Sequence, residues 1–341
     1  MSGLPRRSRH PRGPDGADSY PTAPIRCPVD AFDTTDFAIL REMWAGPHYF
    51  RVDRVSLDDI GRAVGLHRST VATRLAKWAR AGFLLGVTVD VDPTALGLVG
   101  AHVQFHACAA DRDAALETAL HVEGVANALV FDQAWIGFPV TADSPAALAR
   151  IVALLTRILE ADRIEEIANT HRDFPDAEPT PLNALDVALV AALREDGRLM
   201  PRQLAERTGA PLRTVERRLR RLRDRGVVYT LPRVAFDRAA GMVVGYLHFP
   251  LPEEGRDKVL HDALARVPDV LVRQTEAPGI ARLLVYAQTP ADLEARARAV
   301  AQTPGVGRAT LRVFHGVRPS PTFNAWLLER LERHRAASTR A

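Results

Sequence analysis

The sequence predicts an α+β protein in which one unit, short helices followed by elements in the order β-α-β-β-α-β, occurs twice. Three observations carry this. Residues 60–83, IGRAVGLHRSTVATRLAKWARAGF, align without gaps to residues 204–227, LAERTGAPLRTVERRLRRLRDRGV. Helical periodicity opens each half and stops at glycines, and period-two alternation follows it. The 341 residues, 47% hydrophobic and 25% charged, leave material for several cores and exclude a wholly disordered chain.

At the offset of 144 between the two segments, Gly65 meets Gly209, Thr70-Val71 meets Thr214-Val215, Arg74-Leu75 meets Arg218-Leu219, and Gly82 meets Gly226. Val99, Val103 and Phe105 then fall on Val243, Leu247 and Phe249. After a one-residue slip, Val122–Val125 pairs with Val267–Val270 and Ser144-Pro145 with Thr289-Pro290. Similarity that keeps its order over this length implies two copies of one two-domain unit.

The elements follow in order. Residues 1–30, rich in Pro, Gly and Arg, read as a disordered tail. Residues 31–88 form a first helical domain: Phe37, Ile39, Leu40 and Met43 mark one helix, Ser56 before Leu57-Asp58-Asp59 opens a second, and Val71, Leu75 and Trp78 mark a third. Residues 89–173 begin with a strand in which Val99, Ala101, Val103 and Phe105 alternate with Gly100, His102, Gln104 and His106. A helix over 111–121, strands near 124–131 and 134–141, a helix over 145–160 and a strand over 163–172 complete the order of a ferredoxin-like domain. Residues 174–181 (FPDAEPTP) read as a linker, 182–231 as the second helical domain, 232–318 as the second ferredoxin-like domain, and 319–341 as a terminal amphipathic helix and tail.

Two short helices joined by a Gly-containing turn, the second of them basic, describe a helix-turn-helix, winged or plain. Turning Val71, Leu75 and Trp78 inward points Ser69, Thr73, Ala76 and Arg80 outward; Arg213, Arg217 and Arg220 make the matching stripe. Residues 66–80 carry a net +4 and residues 212–225 a net +5. Such side chains bridge phosphates or pair with base edges in the major groove of double-stranded DNA. The candidate DNA contacts are Arg68, Ser69, Thr70, Thr73, Arg74 and Lys77 in the first copy. In the second they are Arg213, Thr214, Arg217, Arg218, Arg220 and Arg221.

On these residues, namely Ile60–Leu66, Ser69-Thr70-Val71, Arg74-Leu75 and Gly82 with their partners in the second copy and Pro304-Gly305-Val306, each unit resembles the Lrp/AsnC family of bacterial transcriptional regulators. The resemblance implies a DNA-binding regulator with an effector-sensing ferredoxin-like domain, the two such domains here pairing within one chain as a pseudo-dimer. It implies a small-molecule effector, an amino acid or another metabolite, and assembly into a homo-oligomer, for which the terminal helix, read with Trp326 exposed, is the candidate surface. Two departures stand out. His67, a poor cap, and Pro211 occupy the place where the family has a capping Ser, and Gly279-Ile280-Ala281-Arg282 has Arg where a family hairpin has Asp.

The polar row His102, Gln104 and His106, with Tyr246 and His248 under the repeat, is the candidate effector face, against the plainer reading of a solvated or hydrogen-bonded surface. No metal site or cofactor is expected, since His102 and His106 sit ~13 Å apart along a strand. Siroheme decarboxylases also resemble paired units of this kind, with His and Arg runs in the ferredoxin-like half. Here Thr170-His171-Arg172 and Phe314-His315 are present but the full run is not, so an enzyme is not expected. With two cysteines, Cys27 and Cys108, no apolar run of the ~18 residues a span needs, and no apolar signal core at the N-terminus, a reduced location in cytoplasm and nucleoid is expected, without membrane attachment.

Overall fold

The computed structural model describes residues 32–44, 57–167, 180–238, 242–267, 270–276 and 279–338. The tail expected over 1–30, Ser56, the Thr170–Arg172 run and most of the expected linker lie outside these residues. The first half runs α1 (Thr34–Trp44), α2 (Leu57–Val64), α3 (Arg68–Arg80), β1 (Leu84–Val91), β2 (Val99–His106), α4 (Arg112–Leu120), β3 (Asn127–Phe131), β4 (Trp135–Ala142), α5 (Pro145–Ile158) and β5 (Arg163–Ile167). The same succession follows in α6 (Ala184–Glu195), α7 (Pro201–Thr208), α8 (Leu212–Asp224), β6 (Val228–Val234), β7 (Val243–Pro250), α9 (Arg256–Ala265), β8 (Val270–Glu276), β9 (Ile280–Ala287), α10 (Pro290–Ala301) and β10 (Thr310–Pro319). Helix α11 (Phe323–Ser338) ends the described chain.

Local signals set the ends. Gly65 and Gly209 take φ of 69° and 67°, the left-handed conformation that stops α2 and α7 at little steric cost. Ser144 and Thr289 accept from the third helical N–H of α5 and α10, each followed by Pro at the first helical position. Asn183 and Asp186 exchange the two bonds of a capping box at the start of α6.

Eight strands form one antiparallel sheet in the order β5-β2-β4-β3-β10-β7-β9-β8. The two four-strand sets join edge to edge, through antiparallel pairing of β3 with β10. The sheet is curled. A flat one would hold β5 and β10 about 19 Å apart, yet Arg312 Nη2 on β10 lies 2.7 Å from Glu165 Oε2 on β5. Helices α4 and α5 cover the outer face of the first set around Val103, Phe105, Phe138 and Leu155. Helices α9 and α10 cover the second around Leu247, Phe249, Leu283 and Leu293.

The helical heads sit crosswise. Helices α1–α3 share a core with Phe236, Val244, Leu284 and Phe314 of the second half, where Phe37 stacks on Tyr286 with centroids 3.5 Å apart. Helices α6–α8 share theirs with Val89, Val91, Leu96 and Leu98 of the first half. Strands β1 and β6 pair antiparallel with each other, so the strand after each basic helix joins its counterpart rather than folding back as a wing hairpin. Helix α11 packs into the second head. Trp326, expected on an exposed side, is buried there with the Arg330 guanidinium over its ring, because α11 fills the groove beside α6.

Asp186, 1% exposed, receives two bonds from Arg218. Removing the guanidinium leaves a buried carboxylate without its counter-charge. Arg218→Ala is therefore expected to cost about 3–5 kcal/mol in urea unfolding. Arg221→Ala, on the exposed side of the same helix, should stay within about 0.5 kcal/mol of the parent.

Candidate nucleic-acid interface and a buried polar face

Helix α8 buries Val215 and Leu222 and packs Leu219 beside them, which turns the opposite face to solvent. Arg213, Arg217, Arg220 and Arg221 are exposed there at helical spacings of three and four, and among the described residues no carboxylate pairs with them. Thr214 is half-buried at the flank. Arg218 leaves the candidate set, since Asp186 holds it inside.

Helix α3 differs in its charge. Ser69, Thr70 and Thr73 are exposed, Thr73 Oγ1 donating to Ser69 O at 2.9 Å. Arg68 is exposed and pairs with Asp58 at 3.5 Å, and Lys77 is half-buried. Arg74 is held by both Asp33 and Asp36 and also leaves the set. His67, expected to cap poorly, does cap: Ser69 N donates to its Nδ1 at 3.3 Å. Arg80, outside the candidate set, is exposed at the far end of the helix.

The inner face of the curled sheet is polar at its centre. Period-two alternation turns Val103 and Phe105 of β2 toward the helices and His102 and Gln104 toward the interior, 1% and 0% exposed. Across the curl, β7 offers Tyr246 and the buried His248, β9 offers Arg282 and β10 offers Arg312. Arg312 lies over the Trp135 ring, 3.7 Å from its centroid. Phe131 stands between the two sets, edge-on to Tyr246 and close to His102, whose Nε2 would lie 2.6 Å from a Cβ added at Gly137. His106 sits at the rim of the row, its Nδ1 2.6 Å from Asp162 Oδ1.

This is neither of the plain outcomes expected for a polar row. Both ring nitrogens of His102, both amide atoms of Gln104, His248 Nε2 and Arg312 Nη1 are buried and, among the described residues, have no hydrogen-bond partner. Each such group costs about 1–3 kcal/mol unless something bonds it. Imidazole, amide and guanidinium N–H groups are all donors from which a carboxylate accepts. The row on β2 was legible from alternation. Arg312 was not singled out, and Arg282 was noted only as a departure from a family hairpin, because a buried arginine in an arginine-rich chain carries no local signal.

A family model described as winged helix-turn-helix DNA-binding matches residues 182–229. No curated protein sequence matches the chain. Among solved structures, the siroheme decarboxylase NirDL is similar with TM-score 0.56 and 14% identity, over 87% of this chain and 98% of that one. The same enzyme with an iron-uroporphyrin III analogue gives 0.54 and 12%, over 88% and 99%. The leucine response regulatory protein LrpA of Mycobacterium tuberculosis is 26% identical over 39% of this chain and 91% of its own, with TM-score 0.32. These findings correct one expectation. The chain shares its fold, nearly end to end, with enzymes, so the exclusion of an enzyme does not stand.

Burial pulls the His248 imidazole from its ordinary 6.5 to about 3, and the Arg312 charge adds to the effect. In the unfolded chain the ring takes up a proton below its ordinary value, which the folded chain refuses until near pH 3. The contribution is therefore complete above pH 6.5 and lost as pH falls toward 3. Urea unfolding across that window should show His248→Gln losing about 1.4 kcal/mol less per pH unit than the parent. Parallel acid limbs would contradict a buried neutral imidazole.

Proposed function

We propose that this chain is a sequence-specific DNA-binding transcriptional regulator of the Lrp/AsnC type, made of two tandem units that pair within one polypeptide as a pseudo-dimer. The units are 31–88 with 89–173 and 182–231 with 232–318. The observation that carries the reading is the stripe Arg213, Arg217, Arg220 and Arg221, exposed and, among the described residues, without carboxylate partners, in the segment matched by the winged helix-turn-helix family. These arginines bridge phosphates and pair with guanine in the major groove, with Thr214 beside them. Helix α3 contributes hydroxyls, Ser69, Thr70 and Thr73, with Arg68 and Lys77 at its sides. The two heads thus read unlike half-sites, and most of the phosphate attraction belongs to the second. Action in the cytoplasm, on the nucleoid, follows from this reading.

The inner face takes the effector in this proposal, an acidic metabolite held by His102, Gln104, His248 and Arg312. A second reading is favoured by the same orphaned groups on a fold shared with siroheme decarboxylase. In it the ligand is a carboxylated tetrapyrrole substrate. Carbon dioxide leaves from a carboxylate of the tetrapyrrole, and a proton, for which an imidazole such as His102 is the candidate donor, takes over the electron pair left on carbon.

Two measurements separate the readings. Gel shifts with fragments of the source genome should show specific complexes. Arg217→Ala with Arg221→Ala should weaken them and reduce the slope of log K against log salt by about 2, at roughly 0.9 per phosphate contact. An unchanged slope would remove α8 as the interface. Anaerobic incubation with siroheme, read by mass spectrometry, tests the second reading: loss of carbon dioxide establishes it, and an intact tetrapyrrole removes it.

A further inference from the structure

At the rim of the inner face, where His106 ends the candidate effector row and apart from the proposed DNA contacts, three potential metal ligands converge. His106 ends β2, Cys108 follows two residues later, and Asp162 precedes β5. His106 Nδ1 lies 2.6 Å from Asp162 Oδ1 and 3.6 Å from Cys108 Sγ, and one donor atom from each residue falls within 4.8 Å of the others.

The framework behind them is fixed. Cys108 N and Ala109 N both donate to Leu159 O at 3.1 Å, which ties the loop after β2 to the end of α5. The same register places His106 opposite Arg163 on β5 and opposite Trp135 on β4. The imidazole packs against Trp135, and its far side is therefore set. Cys108 is exposed and Asp162 half-exposed, so both side chains adjust and solvent reaches the group.

A Cys-His-Asp arrangement also suggests a nucleophile relay, and the geometry argues against that. A relay uses the two ring nitrogens for different partners, one for the thiol and one for the carboxylate. Here thiol and carboxylate approach the same nitrogen, Nδ1. Donors gathered around one point are what an ion needs. Tetrahedral zinc, with bonds near 2.0–2.3 Å, would place its nitrogen and sulfur ligands ~3.5 Å apart and its nitrogen and oxygen ligands ~3.4 Å apart. The first separation is met already. The second needs Asp162 to swing outward by under ~1 Å, and the ion, replacing the hydrogen bond, supplies the reason to do so.

We propose that His106, Cys108 and Asp162 form a zinc site of three protein ligands, with water in the fourth position. On binding, the Cys108 thiol gives its proton to solvent, and the proton that His106 Nδ1 donates to Asp162 passes through solvent to Nε2, so that the Nδ1 lone pair is left for the metal. No electron moves. The bound ion clips the start of edge strand β5 to the end of β2. Because β5 also carries Glu165, the partner of Arg312, the clip steadies the strand that closes the curl.

The test uses the full chain stripped with chelator and then titrated with Zn2+ alone, in competition with a chromophoric chelator. One zinc per chain is expected. Cys108→Ser, His106→Gln and Asp162→Asn should each weaken binding by about tenfold or more, while Cys27→Ser changes nothing. Cobalt in place of zinc should show a sulfur-to-metal charge-transfer band that Cys108→Ser removes. Without metal the melting temperatures of parent and Cys108→Ser should agree, and zinc should raise only that of the parent. Equal zinc affinity in parent and Cys108→Ser, loss of binding in Cys27→Ser, or a cobalt spectrum without the sulfur band would each overturn the proposal.

Discussion

Antiparallel pairing of β3 with β10 is the constraint on which the rest depends. Each four-strand set, left alone, would end in an unsatisfied edge and bury only its helix-covered side. Joined, they give one long sheet that twists enough to fold over, and its second face becomes an interior. The β1–β6 pair works to the same end from the helical side, since each head rests on strands of the other half. The halves therefore cannot separate without exposing Phe37, Tyr286, Val89 and Leu96 together.

Within that frame, arginines divide by what sits beneath them. Arg74 and Arg218 occupy equivalent places in the repeat, and both turn back to carboxylates on the first helix of their own head, Asp36 and Asp186. They hold the heads together. One turn away on α8, Arg213, Arg217, Arg220 and Arg221 are exposed, and among the described residues no carboxylate pairs with them. Helix α3 commits Arg68 and Arg74 to Asp58, Asp33 and Asp36 and presents hydroxyls, with Lys77 and Arg80 toward its end. Two heads built to one plan thus carry different electrostatics, and the difference lies in neighbours rather than in net charge.

The buried polar face has the opposite character. Dispensing with hydrogen bonds on His102, Gln104 and His248 makes the interior less stable than an apolar filling of the same shape. Phe131, Tyr246, Trp135 and Phe314 pack in one apolar cluster beside these groups, with Tyr246 edge-on to His248, and in such low-dielectric surroundings a charge-assisted bond is strong. Such a face suits an acidic guest, whether the guest regulates DNA binding or is itself transformed.

The sequence by itself determined the class of fold, the succession of elements and the basic outer stripe of α8. These follow from short-range physics, in which periodicity selects helix or strand and a glycine stops a helix. It also placed His102, Gln104 and His106 on one face, because alternation fixes sides. It did not separate Arg218 from Arg217, since only a buried Asp186 at a distance of 32 residues does that. Nor did it put Trp326 inside or bring Asp162 to His106, 56 residues away. Those were decided by tertiary structure: which side chains meet across the curl depends on how strands distant in sequence pair, and no local pattern encodes that meeting.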